Sequence, residues 1–167
     1  MKTRISDKII PREEAVAFGA RLHTSGQRIV FTNGCFDLLH PGHVRYLEEA
    51  SLLGDVLVIG LNTDHSVRSL DKSPSRPIQD EQARAQVLAA LASVGAVVLF
   101  DEPTPLELIR EIGPDVLVKG ADYRPEDIVG YDLVTARGGK ILTIPFVPGY
   151  STTSIEQKIL KAHQGGA

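Results

Sequence analysis

The amino-acid sequence predicts a single-domain α/β fold: a parallel sheet of about five strands, flanked by helices on both faces. Three observations predict it. Apolar runs rich in β-branched residues recur along the chain, segments of helical period separate them, and the runs are continuously apolar rather than alternating. Continuous hydrophobicity means that both faces of each strand are covered, as in a sheet sandwiched between helix layers. The arrangement is Rossmann-like. A chain of 167 residues with 43% hydrophobic content suits one domain of ordinary size.

Each element has its own reason. A helix is expected from about Pro11 to His23, within an N-terminal helical extension over residues 1–26, and the main domain is expected over 27–161. Ile29-Val30-Phe31 makes the first strand, and His43 to Leu53 the helix after it. Pro41 sits at that helix's opening turn, where its missing N–H would have no partner anyway. Val56 to Leu61 is the next strand, and Asp64 is placed to cap a helix starting at His65. The Pro/Ser-rich stretch Asp71 to Pro77 reads as a loop. Beyond it come a helix over Glu81 to Ser93, a strand over Ala96 to Phe100 and a helix over Pro105 to Ile112. Then follow the strand Val116-Leu117-Val118, a helix over Leu133 to Arg137 and the strand Ile141 to Ile144. A last helix begins near Thr152 and runs to about Lys161, with Thr153-Ser154-Ile155-Glu156 readable as a capping box. Residues 162–167 are expected to fray.

Composition narrows the function. The formal net charge is -3, so no basic field exists to hold a nucleic-acid backbone, and nucleic acid is not an expected partner. The longest apolar stretches fall far short of the roughly 20 residues that a membrane helix needs, so no membrane partner is expected. The first residues carry charges of both signs and show no secretion signal. Cys35 is the one cysteine, which fits a reducing, cytoplasmic compartment. Its thiol has no evident paired base and is expected to pack.

The most informative segment runs from Phe31 through Thr32, Asn33, Gly34, Cys35, Phe36 and Asp37 to His40-Pro41-Gly42-His43, leaving a strand and entering a helix. In open α/β sheets, ligands sit outside the carboxyl ends of strands, where helix amides point outward. His40 and His43, three apart at a helix start, would lie on one side of the opening turn. Two imidazoles and free amides would then surround an anion. Such a site suits transfer at the α-phosphorus of a nucleotide, which depends on positioning and charge stabilisation. An isolated pair of this kind could equally be a capping residue and a packed histidine. The company of strand, Gly-containing turn, Asp37 and intervening Pro-Gly favours the anion site.

That segment resembles the HxGH signature of the cytidylyltransferase-like nucleotidyltransferases. Further similarity follows in order: Asn62-Thr63-Asp64-His65-Ser66-Val67, the Lys72 to Pro77 stretch, Arg84 before Val87-Leu88-Ala89-Ala90-Leu91, Val118 to Tyr123, and Ser151-Thr152-Thr153-Ser154-Ile155. Within that superfamily, the run is similar to the bacterial heptose 1-phosphate adenylyltransferases, stand-alone or as the second domain of a bifunctional kinase/adenylyltransferase. The resemblance spans roughly Gln27 to Leu160.

It implies that His40, His43, Lys72 and Arg84 act on the phosphates as the catalytic set. It places Thr32, Asn33, Gly34, Phe36, Asp37, Gly42, Lys119 and the Ser151, Thr152, Thr153, Ser154 turn around the nucleotide. Asn62, Asp64, Arg76, Asp122 and Tyr123 are the implied substrate-binding residues. ATP and a heptose 1-phosphate, or another small phosphorylated molecule, are the implied partners, with Mg²⁺ carried mainly on the nucleotide phosphates and no protein metal site. A homo-oligomer is implied too. The reaction would move AMP from ATP to the sugar 1-phosphate, giving ADP-heptose for envelope polysaccharide.

Several of these residues have plainer readings. Lys72 and Arg76 could be solvated loop charges, Arg84 could support Asp80 on an exposed helix face, and turn structure would explain Asp122. Lys119 ends an apolar strand, where a buried unpaired charge is costly, so an anionic partner explains it better. Ser73 and Ala121 stand where the family pattern has glycine, which leaves the acceptor open. A cytidylyltransferase acting on glycerol 3-phosphate shares the front half, and a non-catalytic nucleotide sensor is a reading of another class. GTP is also possible, because nothing in the sequence fixes the base.

Overall fold

Six strands form one parallel sheet: β1 (Ile9–Ile10), β2 (Ile29–Gly34), β3 (Val56–Asn62), β4 (Ala96–Phe100), β5 (Val116–Gly120) and β6 (Lys140–Ile144). Their order is β1-β4-β3-β2-β5-β6. The structure, a computed structural model, describes residues 4–70 and 75–164. Between the strands lie α1 (Ala15–Thr24), α2 (Pro41–Ser51), α3 (Asp64–Ser69), α4 (Glu81–Ala89), α5 (Leu106–Ile112) and α6 (Tyr131–Ala136), and α7 (Thr152–Gln164) ends the chain's described part.

Successive side chains of a strand point to opposite faces, and here they feed two cores. Val30, Leu57, Ile59, Leu61, Val97, Val116 and Val118 pack with Leu47 and Ala50 of α2 and with Ala85, Leu88 and Ala89 of α4. On the other face Ile29, Phe31, Val58, Ala96, Val98 and Leu117 pack with Ala15 of α1, with Leu108, Ile109 and Ile112 of α5, and with Val134 of α6. Most of these side chains are fully buried; each large one contributes roughly 1.5–3 kcal/mol. Covering both faces is what makes the strand sequences continuously apolar.

The sheet has one strand more than the sequence suggests. Ile9 and Ile10 pair in parallel with Val97 and Val98 of β4, so the first 26 residues are not purely a helical extension. Two residues are too few to show a period, which hides β1 from sequence reading. The first helix starts later than Pro11 because a 3₁₀ turn occupies Arg12–Glu14. Helix α3 starts at Asp64, and its cap is Thr63, whose hydroxyl accepts from the Ser66 N–H at 3.1 Å. Asp80 caps α4 by accepting from the Ala83 N–H at 2.8 Å. Helix α7 continues to Gln164, past its expected end. Among the described residues, no helix is long and apolar enough to cross a membrane.

The strand order reverses between β2 and β5. From β2 the chain builds outward through β3 to β4, then returns to place β5 on β2's other side, with Val30 beside Val116. A doubly wound sheet opens a crevice at such a switch point, outside the carboxyl ends of the strands.

Candidate active site

The crevice is real and large. A cleft of about 890 Å³ lies over the ends of β2 and β5, in the range of small-molecule sites. Its walls include Asn33, Gly34, Phe36, Asp37, His40, Gly42 and His43 from the β2-α2 connection, Lys119 and Gly120 from β5, and Ser151, Thr152 and Thr153 at the start of α7.

The β2-α2 turn is built under strain. Phe36 has φ 44°, a left-handed conformation that a bulky residue rarely adopts and that costs about 1–3 kcal/mol. Its ring is buried, tilted against the His43 ring at 5.4 Å. Gly34 makes that possible, since a Cβ there would sit 3.1 Å from the Phe36 ring. The turn delivers His40 to the N-cap of α2, with Pro41 as the first helical residue. Nδ1 of His40 accepts a long 3.4 Å bond from the His43 N–H. An accepting Nδ1 leaves the imidazole proton on Nε2.

The two histidine rings stack, with centroids 3.8 Å apart and planes at 26°, and Tyr150 lies nearly parallel to His40 at 6.4 Å. Burial lowers the His40 pKa. For His43, burial and the neighbouring His40 charge push it down to about 4, against a weaker opposing pull from the Leu38 backbone. Both rings are therefore neutral at pH 7, each able to donate one hydrogen bond. Buried Nδ1 of His43 and buried Oδ1 of Asn33 have no hydrogen-bond partner in the described structure; polar atoms left over beside a cleft are what a ligand or water is expected to satisfy.

A pH dependence of stability follows. The unfolded chain takes up a proton on His43 near pH 6.5, before the folded chain does. His43's contribution is therefore complete above about pH 6.5 and is lost as pH falls toward 4. Urea unfolding at pH 7 and pH 5 is expected to differ by on the order of 1–2 kcal/mol from this residue, and His43→Gln is expected to remove that share. An unchanged pH slope in the variant contradicts the assignment.

The remaining expected residues divide into those at the cleft and those behind it. Lys119 lines the cleft and donates to the Asn33 carbonyl at 3.0 Å, tying β5 to β2 across the switch point. Its charge thus has a protein partner. Asp37 is buried, and its carboxylate accepts from the Ile78 N–H at 2.9 and 3.0 Å and from the Gln79 N–H at 3.0 Å. It anchors the run into α4. Asn62 and Tyr123 line the cleft, as does Arg76, which is paired with Glu156.

Arg84 does not line the cleft. Its side chain is fully buried, with Nε on the Gln79 carbonyl at 3.1 Å, Nη1 on the Cys35 and Asn62 carbonyls at 2.7 and 2.8 Å, and Nη2 on Asp64 at 2.7 Å. It is a positioning residue for the ends of β2 and β3. It is neither a direct phosphate contact nor a solvated support for Asp80. Asp64 is committed to Arg84 and Thr32 to Tyr46, at 2.8 Å between their hydroxyls, and neither lines the cleft. Asp122 is exposed and outside the wall, although its charge helps burial push Tyr46 up to about 12. Ser154 is taken by a reciprocal box: the Ser154 N–H donates to Ser151 Oγ at 3.0 Å and the Ser151 N–H to Ser154 Oγ at 3.3 Å. This box replaces the expected Thr153–Glu156 one. Lys72 lies outside the described residues.

A model of cytidylyltransferase-like proteins matches residues 31–158. The chain belongs to the cytidylyltransferase-like family. It is 57% identical over 150 residues to the bifunctional protein HldE of Azorhizobium caulinodans, over 90% of this chain and 31% of that protein. It is 57% identical over 154 residues to the bifunctional protein HldE of Magnetococcus marinus, over 92% and 31%. The chain thus spans less than a third of the length of these relatives. Among solved structures, the lipopolysaccharide core biosynthesis protein from Thermoplasma volcanium superposes with a TM-score of 0.59 at 29% identity, over 73% of this chain and 98% of that one.

The cytidylyltransferase-like cleft also contains residues that sequence reading missed. Tyr46, Phe146, Tyr150 and the Pro103–Pro105 segment all line it. Tyr46 had a signal: it lies three positions after His43 on the same helix, so it shares that face. Phe146 is 61% exposed and lies over Gly120, where a Cβ would come within 2.2 Å of its ring. No motif marks Phe146, because its place comes from the close approach of two chain segments.

Proposed function

We propose that this chain transfers AMP from ATP to a sugar 1-phosphate, a D-glycero-D-manno-heptose 1-phosphate, releasing pyrophosphate and forming ADP-heptose. The observation that carries the reading is the pair of neutral, stacked imidazoles at the start of α2, facing a cleft at the switch point with Lys119 on its far side. Similarity to HldE proteins and to a lipopolysaccharide core biosynthesis protein supports a role in envelope polysaccharide synthesis.

In this reading an oxygen of the acceptor phosphate forms a bond to the α-phosphorus, and the bond from that phosphorus to the β-phosphate oxygen breaks. The acceptor phosphate is already ionised near neutral pH, so no strong base is needed. His40 and His43 donate hydrogen bonds to the α-phosphate and to the leaving pyrophosphate as charge develops there. Lys119 adds a positive charge at the cleft wall.

The cleft fits a metal that arrives on its nucleotide. Of its carboxylates, Asp37 is engaged by backbone amides and Asp127 by Arg124, and among the described residues no three His, Cys, Asp or Glu side chains cluster as a cation cage. Mg²⁺ would supply neutralisation of phosphate charge, held mainly by the nucleotide's own oxygens.

The test is pyrophosphate release with ATP, CTP or GTP against heptose 1-phosphate and glycerol 3-phosphate. Release with ATP and the heptose substrate is expected. Release with CTP and glycerol 3-phosphate would move the assignment to a cytidylyltransferase, and binding without any release would leave a sensor.

A further inference from the structure

Helix α7 contributes two residues, Thr152 and Thr153, to the cleft wall at its start, yet not one of its residues is fully buried. Only Thr152, Ser154, Ile155 and Glu156 are half-buried, so packing seats α7 weakly and its polar contacts carry much of its placement. Glu156 makes the principal one. Its carboxylate takes the Arg76 guanidinium in a two-pronged pair, Nε to Oε1 at 3.2 Å and Nη2 to Oε2 at 3.3 Å, and Nη2 also reaches Thr153 Oγ1 at 3.4 Å. Both side chains are largely shielded, at 16% and 23% exposure. Shielded, forked pairs of this kind hold direction as well as charge.

These contacts close a ring around the mouth of the cleft. Asp37 grips the backbone of Ile78 and Gln79, and Arg76, two residues before Ile78, grips Glu156 and Thr153. From α7 the chain leads back through Ser151 to Tyr150, which lies against His40, three residues from Asp37. The loop that carries Arg76 and the helix that carries Thr152 and Thr153 are thereby fastened to the same turn that presents the histidines.

We infer that Glu156 is a positioning residue of the transfer site: by holding Arg76 it seats the first turn of α7 against the cleft. The inference rests on the nucleotidyl-transfer reading for its kinetic consequence, but not for its structural one. Glu156 does not line the cleft itself, so its effect must pass through Arg76 and the α7 turn.

The test uses the full chain carrying Glu156→Gln, and the double exchange Arg76→Glu/Glu156→Arg. In the single variant, hydrogen exchange of the backbone amides in α7 is expected to quicken several-fold, while the main melting transition stays within about 2 °C because no α7 residue is fully buried in the core. The KM for ATP is expected to rise about fivefold, with kcat changed less than about twofold, the split that marks lost binding rather than lost chemistry. The double exchange is expected to restore the amide protection. Unchanged exchange in Glu156→Gln overturns the inference, because the pair then does not seat the helix. Failure of the double exchange to restore the amide protection also overturns it, since the seat of α7 then does not depend on this ion pair. A wild-type chain that releases no pyrophosphate defeats the functional reading instead, and the exchange measurement still judges the seat of α7.

Discussion

Replacing His43 by alanine is expected to lower turnover by at least about 10²-fold, the scale on which losing one donor to developing charge is felt in other enzymes. Position and protonation state support that size. His43 lies on the first turn of α2, its ring is held between His40 at 3.8 Å and Phe36 at 5.4 Å, and its pKa near 4 keeps it uncharged at pH 7. A neutral ring delivers its N–H without first losing a proton to buffer. Turnover should therefore show no inflection from His43 between about pH 6 and pH 8. Steady-state pyrophosphate release by folded His43→Ala, compared with wild type across that range, reads both expectations. Near-normal turnover removes His43 from the chemistry.

Arg84→Met is expected to destabilise the fold by about 3–5 kcal/mol, the cost of breaking a buried charge network on one side. The guanidinium has no exposed surface and binds three carbonyls and the Asp64 carboxylate. Methionine fills the space but leaves those acceptors unpaired. Lysine is not expected to rescue, because an ammonium on a longer stem cannot reproduce the planar fork. Cys35 and Asn62, two of the residues held, line the cleft, so activity should fall along with stability. Urea unfolding midpoints give the answer, and a loss below about 1 kcal/mol would mean the network is not holding the turn.

Much of this architecture was legible in the sequence. The longer strands β2 to β5 announce themselves as mostly apolar runs because helices cover both sheet faces, whereas β6 lies at the edge with Lys140 and Leu142 exposed. The strand ends were less legible: β2 extends through Asn33-Gly34 and β5 through Lys119-Gly120, where ladder pairing continues into polar residues that serve the cleft. The histidine turn was readable because its Gly, Pro and His spacing is local. Arg84 and Asp37 were not readable in the same way. Each side chain is decided by backbone groups far along the chain, such as the Cys35 carbonyl for Arg84 and the Ile78 and Gln79 amides for Asp37. The box at Ser151 and Ser154 shows a finer limit. Two adjacent frames both satisfy the local rule, and the ion pair from Arg76 to Glu156 occupies the acid that the other frame needs.

The bond from Lys119 to the Asn33 carbonyl joins residues 86 positions apart. Bringing such distant partners together carries a loop-closure cost that the docked β2–β5 pair must offset. Under the proposed function, neither half of the molecule is expected to grip a nucleotide by itself, and ATP present during renaturation is expected to find nothing to hold until β5 docks on β2. Added nucleotide should accordingly slow the loss of the finished fold while leaving its rate of acquisition untouched.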